Sequence, residues 1–383
     1  MRVLMLSTNS SLLDGINRHI LSIAPVINRQ RGYEVAVCTV MPPGEFQQAL
    51  TEAGVKCFSL GFTNGHDWRI IKAYTKVLNE FQPDIIHVHV MALMERIVSS
   101  FTHKNIRYVQ TVHGVSDPVK TLSLKGIKSF IEKLLCKISP IRLKAILYIS
   151  QGVMNTVRHD NKIHIIKDVC YNPIDFNVCK NHGILYKKLN LSADTIVIGT
   201  ACRIADVKAP EVFTKVMCNV LRQREYVHAV VMGDGDKDII TKCKGIVEES
   251  GVKNRFHWLG YCKDASLLIQ DLSCFVLTSK REGMPTSVIE CFASKTPVAM
   301  LRGEGGLRDL DLLNSSDKPI MAVSDSNNAN ELIEKIIIII DNKEKAQAMA
   351  DNANIIGRKH FDIFAVTNQI CHVYSSVASP IQK

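Results

Sequence analysis

The feature that most constrains this chain is a rhythm. Short apolar runs that end in polar residues alternate with helix-like segments, and the series occurs twice. In the first half, RVLMLS, YEVAVCTV, KCFSL, DIIHVHV, RYVQTV and AILYIS are separated by stretches such as INRHILSIAPVINRQ and FQQALTEAG. Such alternation predicts parallel strands joined by crossover helices, an α/β fold of the doubly wound kind. In the second half TIVIGTA, HAVVMG, RFHWLG, CFVLTS and TPVAML repeat the pattern. Ligands of such sheets gather at the carboxyl ends of the strands. His89, His113 and Ser150 therefore stand where chemistry is expected.

A chain of 383 residues exceeds what one core usually organises, so two domains are expected. The Pro-containing stretch YNPID at Tyr171–Asp175 interrupts the rhythm and sets the boundary. We assign 1–172 to an N-terminal Rossmann-like domain and 173–360 to a C-terminal Rossmann-like domain. The final helix, 361–383, is expected to pack back toward the first domain. With 46% hydrophobic and 22% charged residues the composition is that of a folded, non-spanning protein. The longest apolar run, Ile336 to Ile340, is far shorter than the roughly 20 residues of a spanning helix and is read as a buried helix. The N-terminus lacks a signal-peptide pattern, and the 12 cysteines form no CxxC pair, which fits a reducing cytoplasm.

A formal charge of +10 calls for an anionic partner. Lysines and arginines between Lys120 and Lys144 interleave with Leu122, Ile127, Phe130 and Leu134, a pattern of either a solvated core helix or a peripheral contact with anionic lipid. No basic–aromatic stripe or known motif supports nucleic-acid binding.

The most informative segment is LTSKREGMPTSVIECFASKTPVAM. A strand ends, a loop with Gly283 and Pro285 follows, and a helix opens near Thr286. The free amides and dipole of that helix end suit a phosphate. Glu282 precedes the helix and Glu290 lies in its early turns, so one carboxylate is placed to face a sugar and the other to reach ribose hydroxyls. Arg203 and Lys208 follow a strand end in GTACRIADVK and suit a diphosphate. Asp234 and Asp236 in VVMGDGD offer a D-x-D pattern, but they sit in a Gly-rich turn where Gly233 and Gly235 matter more. We expect His87 and His89, alternating with Val in HVHV, to point to opposite sides and so not to share a metal. They are read as structural, with His89 a candidate to line the cleft, and GEGGLRDL is read as a flexible cleft loop.

Glu282 and Glu290 in REGMPTSVIE form the E-x7-E element that glycosyltransferase family 4 also carries. TVHG at Thr111–Gly114, YNPID, GTACRIADVK and VVMGDGD resemble further landmarks of that family, in the same order and across almost the whole chain. The resemblance implies a GT-B fold, two facing Rossmann-like domains with parallel sheets and an interdomain cleft, and retention at the anomeric carbon. It implies that domain 1–172 serves the acceptor and domain 173–360 binds the nucleotide-sugar, with catalytic roles for His113, Glu282, Arg203 and Lys208. It places Gly15, Gly233, Gly235, Gly283, Met284, Thr286, Ser287 and Glu290 at the substrate. Where relatives often have Gly-Gly, this chain has Asp14-Gly15, and Gly15 is expected to permit close approach to the diphosphate.

The implied reaction moves a sugar from a nucleotide-sugar donor, UDP-linked rather than GDP-linked, to a saccharide or lipid-linked saccharide. No cofactor and no essential divalent metal are expected. The setting would be surface-polysaccharide assembly, in the cytoplasm or at the inner face of the membrane. The rivals are a nucleotide-sugar epimerase or phosphorylase of similar architecture, and a nucleotide-cofactor oxidoreductase. The last lacks G-x-G-x-x-G after its first strand, where STNSSLLDGIN stands. A glycoside hydrolase would also use paired carboxylates, but the basic pair argues otherwise.

Overall fold

Every run read above as a strand becomes one, and all ladders among the described residues run parallel. The structure, a computed structural model, describes residues 1–12, 14–101, 106–114, 143–156, 165–177, 183–192, 194–326 and 328–378. The basic segment 120–144 falls almost wholly outside the described residues.

The chain divides into two units. The first comprises Met1–Ile149, Val153–Pro173 and Ile363–Lys383, the second Ser150–Gly152 and Ile174–Asp362. The first holds β1 (Arg2–Ser7), β2 (Glu34–Thr39), β3 (Lys56–Ser59), β4 (Ile85–Val88), β5 (Arg107–Val112), β6 (Leu143–Tyr148) and β7 (Ile166–Val169), in the spatial order 3-2-1-4-5-6-7. The second holds β8 (Ile196–Ala201), β9 (Val227–Met232), β10 (Phe256–Gly260), β11 (Cys274–Leu277), β13 (Val298–Leu301) and β15 (Ala322–Ser324), in the order 10-9-8-11-13-15. Counted from its own first strand, the second sheet therefore reads 3-2-1-4-5-6, the doubly wound order, and the first reads the same with a seventh strand added at its edge. The order reverses beside β1 and beside β8, and such switch points are where ligands bind.

Burial on both faces explains the continuous apolar runs of these strands. In β1, Val3 and Met5 join one core with Ile20, Ile23 and Ile27 of the helix Gly15–Asn28, while Leu4 and Leu6 join another with Tyr74 and Leu78 of the helix Ile70–Phe81. The last helix, Ile363–Ala378, buries Val366, Ile370 and Tyr374 in the first of these cores. In the second unit the isoleucine run lies in the helix Ala329–Asp341; Ile336, Ile339 and Ile340 are buried, whereas Ile338 is 54% exposed. The chain enters that unit at Ile174 and leaves at Asp362, and these two residues bridge in parallel. Among the described residues no helix is long and apolar enough to cross a membrane, and ten cysteines are free thiols.

Two short strands absent from the sequence reading, β12 (Arg281–Glu282) and β14 (Glu304–Gly305), pair with each other. β7 and β15 were also not anticipated, being only four and three residues long.

Candidate functional site

In the second unit the site begins where β8 ends. Cys202–Ala205 continue the strand, and a 3-10 turn, Asp206–Lys208, delivers Lys208. The Gly-rich loop holds this segment in place. Ile204 donates its N–H to the Asp234 carbonyl, Asp236 donates to the Ile204 carbonyl, and Ile204 and Gly235 form a bridge. A Cβ at Gly233 would stand 1.8 Å from the Cys202 carbonyl oxygen, and one at Gly235 would stand 2.1 Å from that of Ile204. The glycines are needed because two backbones touch. Asp236 caps the helix Lys237–Glu249 by accepting from the N–H groups of Asp238 and Ile239, and Asp234 accepts from Gly235 N–H. Both carboxylates thus serve local structure.

Lys208 Nζ lies 2.5 Å from Glu282 Oε2, with side chains 20% and 10% exposed, so the two residues are joined in a partly desolvated ion pair across 74 positions of sequence. Glu282 is carried by β12. Immediately beyond, Met284 and Pro285 are buried, Thr286 is exposed, and the helix Thr286–Ser294 opens with no side-chain cap. Its first amides have no partner within the helix and converge with the dipole on whatever lies ahead. Pro285 has no N–H and shapes the turn. Ser287 and Glu290 are half-buried on that helix, and Arg203 is exposed on the segment before the 3-10 turn.

GEGGLRDL is a packed wall, which corrects its reading as a flexible loop. Gly305 has φ +71°, and a Cβ there would meet the Glu282 carbonyl oxygen at 2.1 Å; one at Gly306 would meet that of Gly283 at 2.5 Å. A Cβ at Gly303 would meet Leu307 Cδ1 at 2.4 Å and the Lys280 carbonyl oxygen at 2.9 Å. These glycines let β14 press on the strand that carries Glu282. Nearby, a recess of about 770 Å³ is lined by Asp206, Lys280, Arg281, Arg302 and Glu304, among others. Two of its cations are neutralised, Lys280 by Asp206 and Arg302 by Asp311 and Asp325, so they are poorly suited to a diphosphate.

In the first unit, Asp14 is the N-cap of the helix Gly15–Asn28, accepting from Ile16 N–H at 2.8 Å. This accounts for Asp-Gly in place of Gly-Gly: the carboxylate caps the helix end. Among the described residues, a Cβ at Gly15 would have no neighbour within 4 Å. The preceding loop is fixed by Asn17, fully buried, which accepts from Ser7 Oγ and donates to Asn9 and Ser11 carbonyls.

His113 follows β5, and Gly114 beside it faces open space. Its Nε2 lies 2.9 Å from His89 Nδ1, one donating to the other. The rings of His87 and His89 are 4.2 Å apart between centroids, which overturns the expectation that they face opposite sides. Residues two apart on a strand share a face. His19, on the helix Gly15–Asn28, completes the group and was not singled out from sequence. It lies on the stripe Ile16, Ile20, Ile23, Ile27, which was the available signal. Burial holds all four imidazoles well below their usual pKa, His19 at about 4 and His87 at about 3, so they are neutral near pH 7.

Comparison with known proteins agrees with this construction. Residues 13–177 match glycosyltransferase family 4, and residues 184–355 match glycosyl transferases group 1. An N,N'-diacetylbacillosaminyl-diphospho-undecaprenol α-1,3-N-acetylgalactosaminyltransferase of Campylobacter jejuni is 22% identical over 366 residues, 89% of this chain and 93% of its own. The lipopolysaccharide core biosynthesis mannosyltransferase LpcC of Rhizobium leguminosarum is 25% identical over 184 residues, 47% of this chain and 51% of its own. Among solved structures, Anabaena HepE in complex with UDP and glucose superposes with a TM-score of 0.77 at 19% identity, covering 98% of this chain and all of that one. A glycosyltransferase from Rickettsia africae also gives 0.77, at 16% identity over 98% of each chain. With each unit matched in turn by family and by fold, the chain belongs to glycosyltransferase family 4 and is an enzyme of the hexosyltransferase class.

Proposed function

We propose that this enzyme transfers a sugar from a UDP-sugar, with retention of anomeric configuration and without a divalent cation, to a saccharide carried on a lipid diphosphate. The observation that carries the donor half is the Lys208–Glu282 pair, set in the same unit as the uncapped start of the helix Thr286–Ser294. A diphosphate brings two negative charges that a lysine, an arginine and a helix end can stabilise together. Lys208 and Arg203 would bear the charge that develops on the leaving phosphate. Glu282 would contact the donor sugar together with the amides near Gly283, Met284, Thr286 and Ser287, and Glu290 would hold the ribose. Gly233 and Gly235 would act by fixing the Arg203 segment. His113 would contact the sugar, and Gly15 would admit the diphosphate.

In the chemical step the acceptor hydroxyl attacks the anomeric carbon on the face from which the nucleotide leaves. The bond from that carbon to the diphosphate breaks, and the departing phosphate oxygen takes the acceptor's proton. Catalysis is then mostly orientation and electrostatic stabilisation. For the acceptor, the support is the Campylobacter relative, whose own acceptor is a sugar on diphospho-undecaprenol. The enzyme would work at the cytoplasmic face of a membrane, held there peripherally.

The first test is thermal stability with UDP, GDP, dTDP, ADP, CMP and NAD, each with and without EDTA, since a ligand of the folded state raises it by mass action. UDP should stabilise in EDTA. Transfer from UDP-sugars to a lipid-linked acceptor, with the product's anomeric configuration read by NMR, then checks the reaction. Stabilisation by NAD alone, or an inverted product, would overturn the reading.

A further inference from the structure

The histidines of the first unit are more numerous and more deeply buried than a contact to one sugar hydroxyl requires. His87 is accounted for: its Nδ1 pairs with Tyr374 Oη at 2.5 Å and its Nε2 with Thr111 Oγ1 at 2.7 Å. The other three differ. His89 Nδ1 and His113 Nε2 share one hydrogen bond, while His89 Nε2 is buried without a hydrogen-bond partner and His19, fully enclosed, has only the side chain of Asn172 beside it. Buried polar groups are almost always paired, so ring nitrogens left over in one cluster require an explanation.

The three residues reach one point from three elements: His19 from the first turns of the helix after β1, His89 just past β4, and His113 just past β5. β1 and β4 flank the switch point of this sheet, where a ligand is expected. One nitrogen from each ring lies within 4.8 Å of the others, and the ring centroids are 4.9 to 5.4 Å apart. Metal–nitrogen bonds of about 2.0–2.1 Å in a tetrahedron put ligand nitrogens about 3.4 Å apart, so the rings need only swing inward.

We propose that His19, His89 and His113 bind one divalent transition-metal ion of the zinc class, leaving a fourth position open. Asn172 Oδ1 is positioned to accept the remaining ring N–H of His19, the outer hydrogen bond that a metal-bound imidazole commonly makes. A hard cation such as Mg²⁺, which prefers oxygen ligands, does not suit this donor set. Such an ion is distinct from a catalytic cation at the diphosphate. If His113 also contacts the donor sugar, which rests on the proposed function, the ion occupies that residue and slows transfer. EDTA then restores it.

The experiment uses the untagged full chain, titrated with Co²⁺ and followed by visible absorption, and with Zn²⁺ by calorimetry. Wild type should take up one ion per chain, with the intense bands of a four-coordinate site. His19→Ala and His89→Ala should weaken uptake more than about tenfold. His19→Asn, which keeps a polar side chain, decides the matter if His19→Ala melts early by circular dichroism. His228→Ala removes the other close histidine pair, His228 with His257, and should leave uptake unchanged. Absence of stoichiometric uptake, or uptake abolished by His228→Ala and indifferent to His19→Asn, overturns the site. Uptake as expected with transfer indifferent to Zn²⁺ keeps the site and removes His113 from the donor.

Discussion

In the reaction proposed above, Lys208 would meet two demands that pull against each other: it is paired with Glu282 in the structure, and it would have to face a leaving phosphate during transfer. Glu282 would then act as a placeholder that keeps the ammonium in position before the donor arrives. Lys208→Ala should lower kcat by about 10²–10³-fold, the scale of removing one group that stabilises developing charge. UDP-dependent thermal stabilisation should fall much less, and rates at saturating donor check the difference. Glu95 supplies a different residue-scale expectation. Fully buried among Cys38, Tyr74 and Tyr108, it accepts from Ala92 N–H, and burial pushes its pKa from 4.5 to about 8. Between those values the unfolded chain releases a proton that the folded protein keeps. Stability from this group is therefore intact below about pH 4.5 and is lost as pH rises to about 8. Glu95→Gln should flatten that slope, gaining on the order of a few kcal/mol over wild type at pH 8, read by urea denaturation across the range.

At the scale of elements, the glycine-rich wall gives a discriminating pair. Gly305→Ala puts a methyl against the Glu282 carbonyl at a positive φ and should cost about 1–3 kcal/mol, along with donor binding. Gly15→Ala meets nothing and should leave the melting temperature unchanged while weakening UDP, if a ligand approaches there. What the sequence showed and hid follows the same physics. Strands buried on both faces advertise themselves as apolar runs, so β1, β8 and β11 were legible. β12 and β14 were not, because two-residue ladders held by glycine contacts leave no periodicity. Lys208 and Glu282 were each named from their motifs, but nothing in a one-dimensional reading joins positions 74 apart. The histidine cluster was missed because His19 hides in a helical stripe and because an i, i+2 pair was misread as opposed. Asp14 looked like a departure from pattern, and its sense emerged only with the cap it makes.

At the scale of the whole molecule, the repeated 3-2-1-4-5-6 order gives each unit one switch point, with chemistry-bearing residues at both. The first unit is completed from far along the chain. Tyr374 is fully buried and reaches His87 across 287 positions. Tyr374→Phe keeps the ring and strands His87 Nδ1, so it should cost about 1–3 kcal/mol. Denaturant titration should register that loss in the transition of the first unit. UDP stabilisation, if it belongs to the second unit, should persist.

That long reach has a temporal meaning. A ribosome emits the first sheet early, yet the helix Ile363–Ala378 that covers part of it emerges only after all of Ile174–Asp362 has been made. The first half must wait with an apolar face uncovered while the second is free to fold during synthesis. A prematurely ended product would display that face to chaperones and proteases, so the seam closes only on a finished chain.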